Sequence, residues 1–285
     1  METIEKDEIR QAVRESYGKV AKAVVGSIEA SPATSCCGPS DISVETTPAS
    51  SCCVGSDVTT EQISSIMGYT EEDINSIPEG ANMGLGCGNP VALASLKSGE
   101  TVVDLGSGGG FDCFLAAREV GETGRVIGVD MTSEMVTKAR KNAEKAGATN
   151  VEFRLGEIEH LPVADNSADI IMSNCVINLS PDKQSVYREA YRVLKPGGRL
   201  SISDILATAP LPEEVQKDMA LVAACVGGAS TIDETEALLR SAGFQDIKIK
   251  PKDNSRELIS KWNPDKSKNA WDYVISAYIE AVKGG

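Results

Sequence analysis

Histidine is scarce in this 285-residue sequence, and cysteines with the CxxC spacing are absent from it. His160 is its only histidine, and no two of its eight cysteines have the CxxC spacing. Structural zinc sites usually take four cysteine or histidine ligands at short spacing, so the sequence does not favour such a site. A reaction that depends on a histidine general base is also disfavoured, although carboxylates could take that role.

Basic residues are fewer than acidic ones, and long apolar runs are absent. The 28 lysines and arginines are outnumbered by 42 acidic residues, which gives a net charge of −14, whereas nucleic acids and anionic membranes attract positively charged surfaces. No apolar run approaches the roughly 18 residues that span a bilayer, and the charged start METIEKDEIRQAV is unlike a secretory signal. We therefore expect a cytoplasmic protein that binds a small molecule or another protein, not nucleic acid or a membrane.

Four of the eight cysteines lie in a short internal repeat. The motifs PATSCCG (32–38) and PASSCCV (48–54) each carry two adjacent cysteines. The surrounding Ser, Thr and Pro predict a flexible linker over residues 31–58, after an N-terminal helix over residues 1–30. Because a disulfide between adjacent cysteines is strained, each pair is better suited to clamp a substrate or to exchange disulfides. An inert surface pair is the alternative.

The rest of the chain alternates apolar strands with helices, which is typical of a parallel sheet covered on both faces. The pattern begins at TVVDLG and continues through RLSISDI at 199–205. A helical insert follows, and the runs FQDIKIKP and VISAYIEAVK predict two closing strands that could be antiparallel. We predict a doubly wound α/β fold, with a cofactor-binding domain over residues 59–206 and a substrate lid plus closing strands over residues 207–285.

A glycine-rich turn, DLGSGGG at 104–110, follows the first predicted strand. Phe111 stands where the dinucleotide fingerprint has its third glycine. Asp104 lies at the strand end, where a carboxylate repels a pyrophosphate and attracts a cation. Asp130 ends the next strand, at the position that binds ribose hydroxyls in such folds. The combination favours S-adenosylmethionine, which carries an ammonium group and a positive sulfur.

These motifs resemble those of the class I S-adenosylmethionine-dependent methyltransferases, from about residue 70 to the end of the chain. The stretch YRVLKPGGRLSISD resembles that family's turn and fifth strand. The resemblance implies a mostly parallel, Rossmann-like sheet in the order 3-2-1-4-5-7-6, with strand seven antiparallel. Together with the glycine turn, it places the cofactor against Asp104, Gly106, Ser107, Gly108, Gly110, Asp130, Met131, Thr132, Ile158, Glu159 and Asn174.

Three single cysteines stand where such a fold forms the rim of its ligand crevice. Cys175 closes the run ADIIMSNC, Cys225 lies in the insert after strand five, and Cys87 precedes the first strand. Three thiolates suit a soft, pyramidal centre, and trivalent arsenic takes three sulfurs and keeps a lone pair. The local sequences LGCGNP, SNCVINL and CVGGA resemble those of the arsenite methyltransferases, which implies that these cysteines bind arsenic(III).

The resemblance extends to the adjacent cysteines, because one such pair assists arsenic capture in that family. We expect Cys52 and Cys53 to take this role, since they lie nearer to Cys87 along the chain. Cys36 and Cys37 remain the alternative.

The implied reaction is the methylation of arsenite, or of its glutathione or other thiol conjugates, in arsenic detoxification. The arsenic lone pair attacks the sulfonium methyl group without a general base. Cysteine pairs then reduce the oxidised arsenic by closing a disulfide, which a thioredoxin-like reductant reopens.

Two alternative functions stay open at this point. A methyltransferase of the same fold that acts on a quinone or another small carbon acceptor would keep its activity without the three cysteines. A thiol-based metalloid-binding protein would bind arsenic(III) without consuming S-adenosylmethionine.

Overall fold

The computed structural model of the chain describes residues 3–23, 59–255, 258–259 and 269–285. The predicted linker over residues 31–58, with both cysteine pairs, lies outside the described residues. The end of the predicted N-terminal helix, after Ala23, lies outside them too.

Seven strands form one sheet in the described part of the chain. They are β1 (Thr101–Leu105), β2 (Arg125–Asp130), β3 (Val151–Leu155), β4 (Ala168–Asn174), β5 (Leu194–Ala207), β6 (Phe244–Pro251) and β7 (Val274–Lys283). Their order across the sheet is β3-β2-β1-β4-β5-β7-β6. Strand β7 is antiparallel to both β5 and β6, and the other neighbours are parallel. The predicted Rossmann-like fold and strand order are confirmed.

Ten α-helices accompany this sheet in the same described residues. They are α1 (Thr3–Ala23), α2 (Thr60–Met67), α3 (Glu71–Ser76), α4 (Pro90–Ala94), α5 (Phe111–Val120), α6 (Ser133–Ala146), α7 (Lys183–Val193), α8 (Glu213–Lys217), α9 (Met219–Ala223) and α10 (Ile232–Ala242). Among the described helices, none combines the length and apolar character that a bilayer crossing requires.

The core lies on both faces of the sheet, because successive side chains of a strand point to opposite faces. Val103 and Ile171 pack with α7 and α10 on one face, whereas Val102 and Ile170 pack with α5 and α6 on the other. All four side chains are fully buried. Burying a side chain of this size stabilises the fold by about 1.5–3 kcal/mol. The central strands β1 and β4 are therefore a rigid frame for whatever lies at their carboxyl ends.

Two elements differ from the sequence predictions. Strand β5 begins at Leu194 rather than at Arg199, because Leu194 already pairs with Ala168 of β4, before an irregularity in the register. The ammonium of Lys283 also donates to the Leu194 carbonyl at 2.7 Å. The predicted helical insert is divided into α8 and α9. Asp218 separates them, since its carboxylate accepts a hydrogen bond from the Ala220 N–H at 2.9 Å and caps α9.

Helix α1 packs against the carboxyl end of the sheet rather than projecting from it. Its buried Val13 belongs to a cluster that contains residues of α2, β5 and α9, and its buried Val20 packs on Met135 of α6. Ion pairs at both ends of the helix, Lys6 with Asp182 at 2.7 Å and Lys22 with Glu134 at 2.9 Å, add to this contact. The predicted amphipathic helix thus covers the edge where the parallel strands end.

Candidate functional site

The glycine turn between β1 and α5 is fixed by its backbone. The N–H groups of Gly106 and Ser107 donate to the carbonyl of Val129 at 2.7 and 3.1 Å. Gly106 has a φ of +69°, and a Cβ there would lie 2.4 Å from a methyl carbon of Val176. Only glycine fits this position, because any side chain would be strained and would collide. The chain therefore turns sharply at the end of β1 and leaves its backbone open to a ligand.

A cavity lies at the carboxyl ends of β1, β2 and β4, where open α/β sheets bind their ligands. Every residue predicted to contact the cofactor lines this cavity except Gly110. Gly110 caps α5 instead, and a Cβ there would lie 2.7 Å from the ring of Phe153, so its lack of a side chain serves packing. The predicted residues that the structure brings to the cavity are Asp104, Gly106, Ser107, Gly108, Asp130, Met131, Thr132, Ile158, Glu159 and Asn174.

Three buried carboxylates line the cavity, from Asp104, Asp112 and Asp130. Burial raises the pKa of Asp104 and Asp130 above the usual 3.8. It raises the pKa of Asp112 to about 6, against the opposing effect of hydrogen bonds from Tyr69 and Asn174. A raised carboxyl pKa shows that the charged form lacks compensation, which a bound cation would supply. This part of the cavity therefore favours a positively charged ligand.

Asp130 and Ser107 present polar groups beside these carboxylates. The two carboxylate oxygens of Asp130 accept from the N–H of Gly108 at 2.9 Å and of Thr132 at 2.8 Å. The Ser107 hydroxyl is buried and has no hydrogen-bond partner among the described residues. Because a buried polar group without a partner is unfavourable, this hydroxyl is suited to a polar ligand. The cavity thus fits S-adenosylmethionine, which offers both polar groups and positive charge.

Helix α1 forms one wall of the cavity, a contribution that the sequence did not predict. Arg10, Val13 and Tyr17 line it. Arg10 pairs with Glu159 at 3.3 Å, and the Tyr17 hydroxyl donates to the carbonyl of Ala223 at 3.3 Å. The spacing of Val13 and Tyr17 indicates a helix with one buried face, but it does not show which surface that face covers.

The three cysteines predicted to bind arsenic belong to one buried cluster. Cys87, Cys175 and Cys225 have exposed fractions of 0%, 7% and 4%. The Cys225 thiol donates to the Cys175 carbonyl at 2.9 Å, and the Cys87 sulfur lies 3.6 Å from the Ser203 hydroxyl oxygen. Cys175 and Cys225 line the cavity. Segments before β1, after β4 and after α9 therefore bring their thiols together.

Two of these cysteines have unusual backbone conformations. The φ angles of Cys175 and Cys225 are +58° and +64°, in the left-handed region. Such residues cost about 1–3 kcal/mol each and occur most often at functional sites. The Cys175 N–H donates to the Ser203 carbonyl at 2.8 Å, and the Asn178 amide donates to the Cys225 carbonyl at 3.3 Å. These contacts hold both thiols in place against the strain.

Asp204 of β5 lies beside the thiols. One of its carboxylate oxygens and the sulfur atoms of Cys87 and Cys175 all lie within 4.8 Å of one another. Burial raises the pKa of Asp204 to about 7, and burial also raises the pKa of both thiols. The thiols of Cys87 and Cys175 are therefore protonated at neutral pH, and a ligand that binds these sulfurs must displace their protons.

Asn174 connects the two parts of the cavity. Its side-chain oxygen accepts from the Cys87 N–H at 2.8 Å. Its amide nitrogen donates to the Gly88 carbonyl at 2.8 Å and to Asp112 at 3.1 Å, while Asp112 also accepts from the Tyr69 hydroxyl at 2.5 Å. One amide group thus touches both the carboxylate side and the backbone that carries a thiol.

Asp112 and Asp204 were missed by the sequence reasoning. Each is an acidic residue inside an apolar run, FDCFLAA for Asp112 and SISDILA for Asp204. An acidic residue is seldom fully buried without a partner, so its presence inside an apolar run is the signal that could have marked both. The predicted capture residues Cys52 and Cys53, like Cys36 and Cys37, lie outside the described residues.

The chain is similar to known methyltransferases. Residues 96–243 match a family described as a methyltransferase domain. An arsenite methyltransferase of Halobacterium salinarum is 50% identical over 277 residues, which cover 97% of this chain and 67% of that protein. An arsenite methyltransferase of Aquipseudomonas alcaligenes is 48% identical over 179 residues, which cover 60% of this chain and 51% of that protein. The chain thus spans about two thirds of one relative and about half of the other.

A solved structure shares both the fold and part of the sequence. The arsenic(III) S-adenosylmethionine methyltransferase of Chlamydomonas reinhardtii matches with a TM-score of 0.59 and 32% identity, over 80% of this chain and 74% of that one. S-adenosylmethionine is the cofactor of this family, in agreement with the charge of the cavity. The sequence similarity along nearly the whole chain and the shared fold show that this chain belongs to the arsenite methyltransferase family of class I S-adenosylmethionine-dependent methyltransferases.

Proposed function

We propose that this chain transfers a methyl group from S-adenosylmethionine to trivalent arsenic held by the thiols of Cys87, Cys175 and Cys225. The observation that carries the proposal is the burial of these three thiols in one cluster beside a cavity suited to a cationic cofactor. Arsenite methylation by relatives of up to 50% identity supports it.

The cofactor would be held by groups of known chemistry. The carboxylates of Asp104 and Asp112 attract its ammonium group, and the buried Ser107 hydroxyl offers a hydrogen bond. Asp130, at the end of β2, and Glu159, after β3, supply carboxylate acceptors for the ribose hydroxyl groups of the cofactor. When bound, S-adenosylmethionine supplies an electrophilic methyl group to the arsenic lone pair.

The three thiols keep arsenic in the form that reacts. Each thiol loses its proton and forms one bond to arsenic, displacing one hydroxide or one small-molecule thiolate that leaves with a proton. Three sulfur ligands leave the lone pair free, so no side chain is needed as a general base. Holding the acceptor in line is the main catalytic contribution, and good alignment is worth about 7–11 kcal/mol in comparable reactions.

The redox part of the cycle would use the other cysteines. Methyl transfer raises arsenic formally from the trivalent to the pentavalent state, and two thiols return two electrons by closing a disulfide and releasing two protons. Cys52 and Cys53 are the proposed capture pair, with Cys36 and Cys37 as the alternative.

The proposed partners are arsenite or its glutathione conjugates and a thioredoxin-like reductant that reopens the disulfide. We propose a cytoplasmic location.

The test is incubation of the full chain with methyl-labelled S-adenosylmethionine, arsenite and a small thiol, followed by separation of the arsenic species. Labelled methylated arsenic is the expected product. Labelled cofactor that stays intact while arsenite binds tightly would contradict the proposal and would identify a metalloid-binding protein instead.

Single-turnover measurements on cysteine variants assign the ligands. Cys175→Ser and Cys225→Ser are expected to lose methylation by at least about a hundredfold, because two sulfurs hold arsenic more weakly than three. Cys113→Ser is the control for loss of a buried thiol, since Cys113 is equally buried and lies in a different cluster. Its thiol donates to Asp104 at 3.2 Å, and a serine hydroxyl can still donate to that carboxylate. Methyl transfer to a quinone that survives Cys87→Ser, Cys175→Ser and Cys225→Ser would support the carbon acceptor instead.

A further inference from the structure

The thiol cluster contains one donor that trivalent arsenic does not need, the carboxylate of Asp204. Arsenic(III) is satisfied by three sulfurs, yet the carboxylate of Asp204 lies with the sulfurs of Cys87 and Cys175, all within 4.8 Å of one another. All three side chains are buried. The Cys225 thiol, by contrast, donates to a backbone carbonyl, that of Cys175.

We propose that Cys87, Cys175 and Asp204 form a binding site for a divalent thiophilic cation, of the class of Zn²⁺ and Cd²⁺, which overlaps the arsenic site but uses a different third ligand. Two thiolates and one carboxylate are a donor set that such borderline and soft cations accept. The inference concerns binding alone and does not depend on methyl transfer.

The spacing of the three donor atoms suits this class of ion. In a tetrahedral zinc site with Zn–S bonds of about 2.3 Å, neighbouring ligand atoms lie about 3.5–3.8 Å apart. The separations here, up to 4.8 Å, are about 1 Å longer than that range, so the donor atoms must approach one another when an ion binds. Three protein ligands leave a fourth position open, which is the arrangement of exchangeable rather than structural sites.

The charges around the site favour a dication. Two thiolates and one carboxylate carry three negative charges, which a divalent ion and one further positive charge neutralise. Lys252 supplies that charge: it is buried, and its ammonium donates to the Cys87 carbonyl at 3.1 Å. Among the described residues no carboxylate forms an ion pair with it, and its other contacts are the Met67 carbonyl at 3.3 Å and the ring of Tyr278.

Asp204 is held ready for this role. Its oxygens accept from the backbone N–H of Ile205 at 2.7 Å and of Ile177 at 3.1 Å, and from the Asn178 amide at 3.0 Å. Outer hydrogen bonds of this kind fix a metal ligand in orientation. A carboxylate oxygen retains a lone pair for a metal ion after accepting such bonds.

The test uses Cd²⁺, whose bonds to thiolates absorb in the ultraviolet. The protein is the full chain with Cys36, Cys37, Cys52 and Cys53 replaced by serine, so that only the buried thiols report. One equivalent of Cd²⁺ is expected to bind with the absorbance of two thiolates, and arsenite is expected to displace it. No absorbance at one equivalent would overturn the proposal.

Two substitutions distinguish the donor sets in that background. Asp204→Asn is expected to weaken Cd²⁺ binding at least about tenfold and to change arsenite binding little, whereas Cys225→Ser has the opposite pattern. The site proposed here is wrong if Asp204→Asn leaves Cd²⁺ affinity unchanged, or if Cys225→Ser weakens it as much.

A further pair of variants guards against misfolding of Asp204→Asn. Cys87→Ser is expected to remove about half of the Cd²⁺ absorbance, and Cys113→Ser, equally buried elsewhere, none of it. The assignment would be contradicted if both variants lost the same share of the Cd²⁺ absorbance, or if neither lost any. The Cd²⁺ titrations need no S-adenosylmethionine, so their outcome does not depend on the outcome of the methylation assay.

Discussion

The two parts of the cavity are built in different ways. The carboxylate side stands on regular elements: Asp104 and Asp130 lie in β1 and β2, and the turn between them is fixed by backbone hydrogen bonds. The thiol side is assembled from three segments outside the strands, with Cys175 and Cys225 in left-handed backbone conformations. The first side is determined by the sheet. The second depends on side chains such as Asn174 and Asn178 that hold loops together.

The largest expected effect is on the carboxylate side, at Gly106. Gly106→Ala places a Cβ 2.4 Å from a methyl carbon of Val176, so the turn must move. We expect affinity for S-adenosylmethionine to fall by at least about a hundredfold in calorimetry. Gly197→Ala is the control, because Gly197 also has a positive φ of +79° but no neighbour within 4 Å of the added atom. Equal effects of both substitutions would show that strain, not collision, matters.

The next effect separates the two sides. Asn174→Ala removes contacts to both Asp112 and the Cys87 backbone, so we expect binding of cofactor and of arsenite each to weaken about tenfold, or about 1.4 kcal/mol. Asn178→Ala touches only the thiol side and should weaken arsenite binding alone. Titration calorimetry with each ligand measures both. Arsenite binding that is unaffected by Asn174→Ala would show that the two sides are independent.

A smaller effect follows from the buried Asp112. Its pKa of about 6 in the folded state exceeds the usual 3.8, so folding favours the protonated form. The stability that this group contributes is therefore present below about pH 4 and is lost as the pH rises through 6. We expect Asp112→Asn to lose less stability than the parent chain between pH 4 and 6.5, measured by urea unfolding. Parallel losses in the two proteins would contradict this account.

The smallest effect concerns α1, which bridges the two sides. Arg10→Met removes the ion pair with the buried carboxylate of Glu159, which still accepts a hydrogen bond from the Ser180 hydroxyl at 2.6 Å. We expect the dissociation constant of S-adenosylmethionine to rise about threefold, and the difference to shrink at high salt. Arg240→Met, which removes the exposed pair with Glu236, should change nothing. A threefold change in that control as well would point to net charge rather than to the wall of the cavity.

The same contrast explains what the sequence could predict. The alternation of strands and helices and the cofactor residues of β1 and β2 follow from local patterns, because apolar runs and glycine turns have few structural solutions. The strand order was instead implied by the resemblance to known methyltransferases. The approach of Cys87, Cys175 and Cys225 was predicted through the resemblance to known methyltransferases and not from spacing, since they lie far apart in the chain.

Other features depend on tertiary packing and left no local signal. Lys252 lies in the polar stretch KPKD, where lysine is normally solvated, yet it is buried against β7. The position of α1 over the cavity depends on ion pairs with loops distant in sequence, such as that of Lys6 with Asp182. Gly110 shows a different case: its motif predicts a cofactor contact, whereas in the structure it does not line the cavity and a Cβ there would lie 2.7 Å from the ring of Phe153.

The amide of Asn174 has a thermodynamic consequence for the affinities of the two substrates. Because one group contacts both Asp112 and the backbone of Cys87, we expect occupancy on one side to alter the affinity of the other. Linkage makes this influence reciprocal: the factor by which the methyl donor changes the affinity for arsenic equals the factor by which arsenic changes the affinity for the donor. The affinity measured for either substrate therefore depends on whether the other is bound.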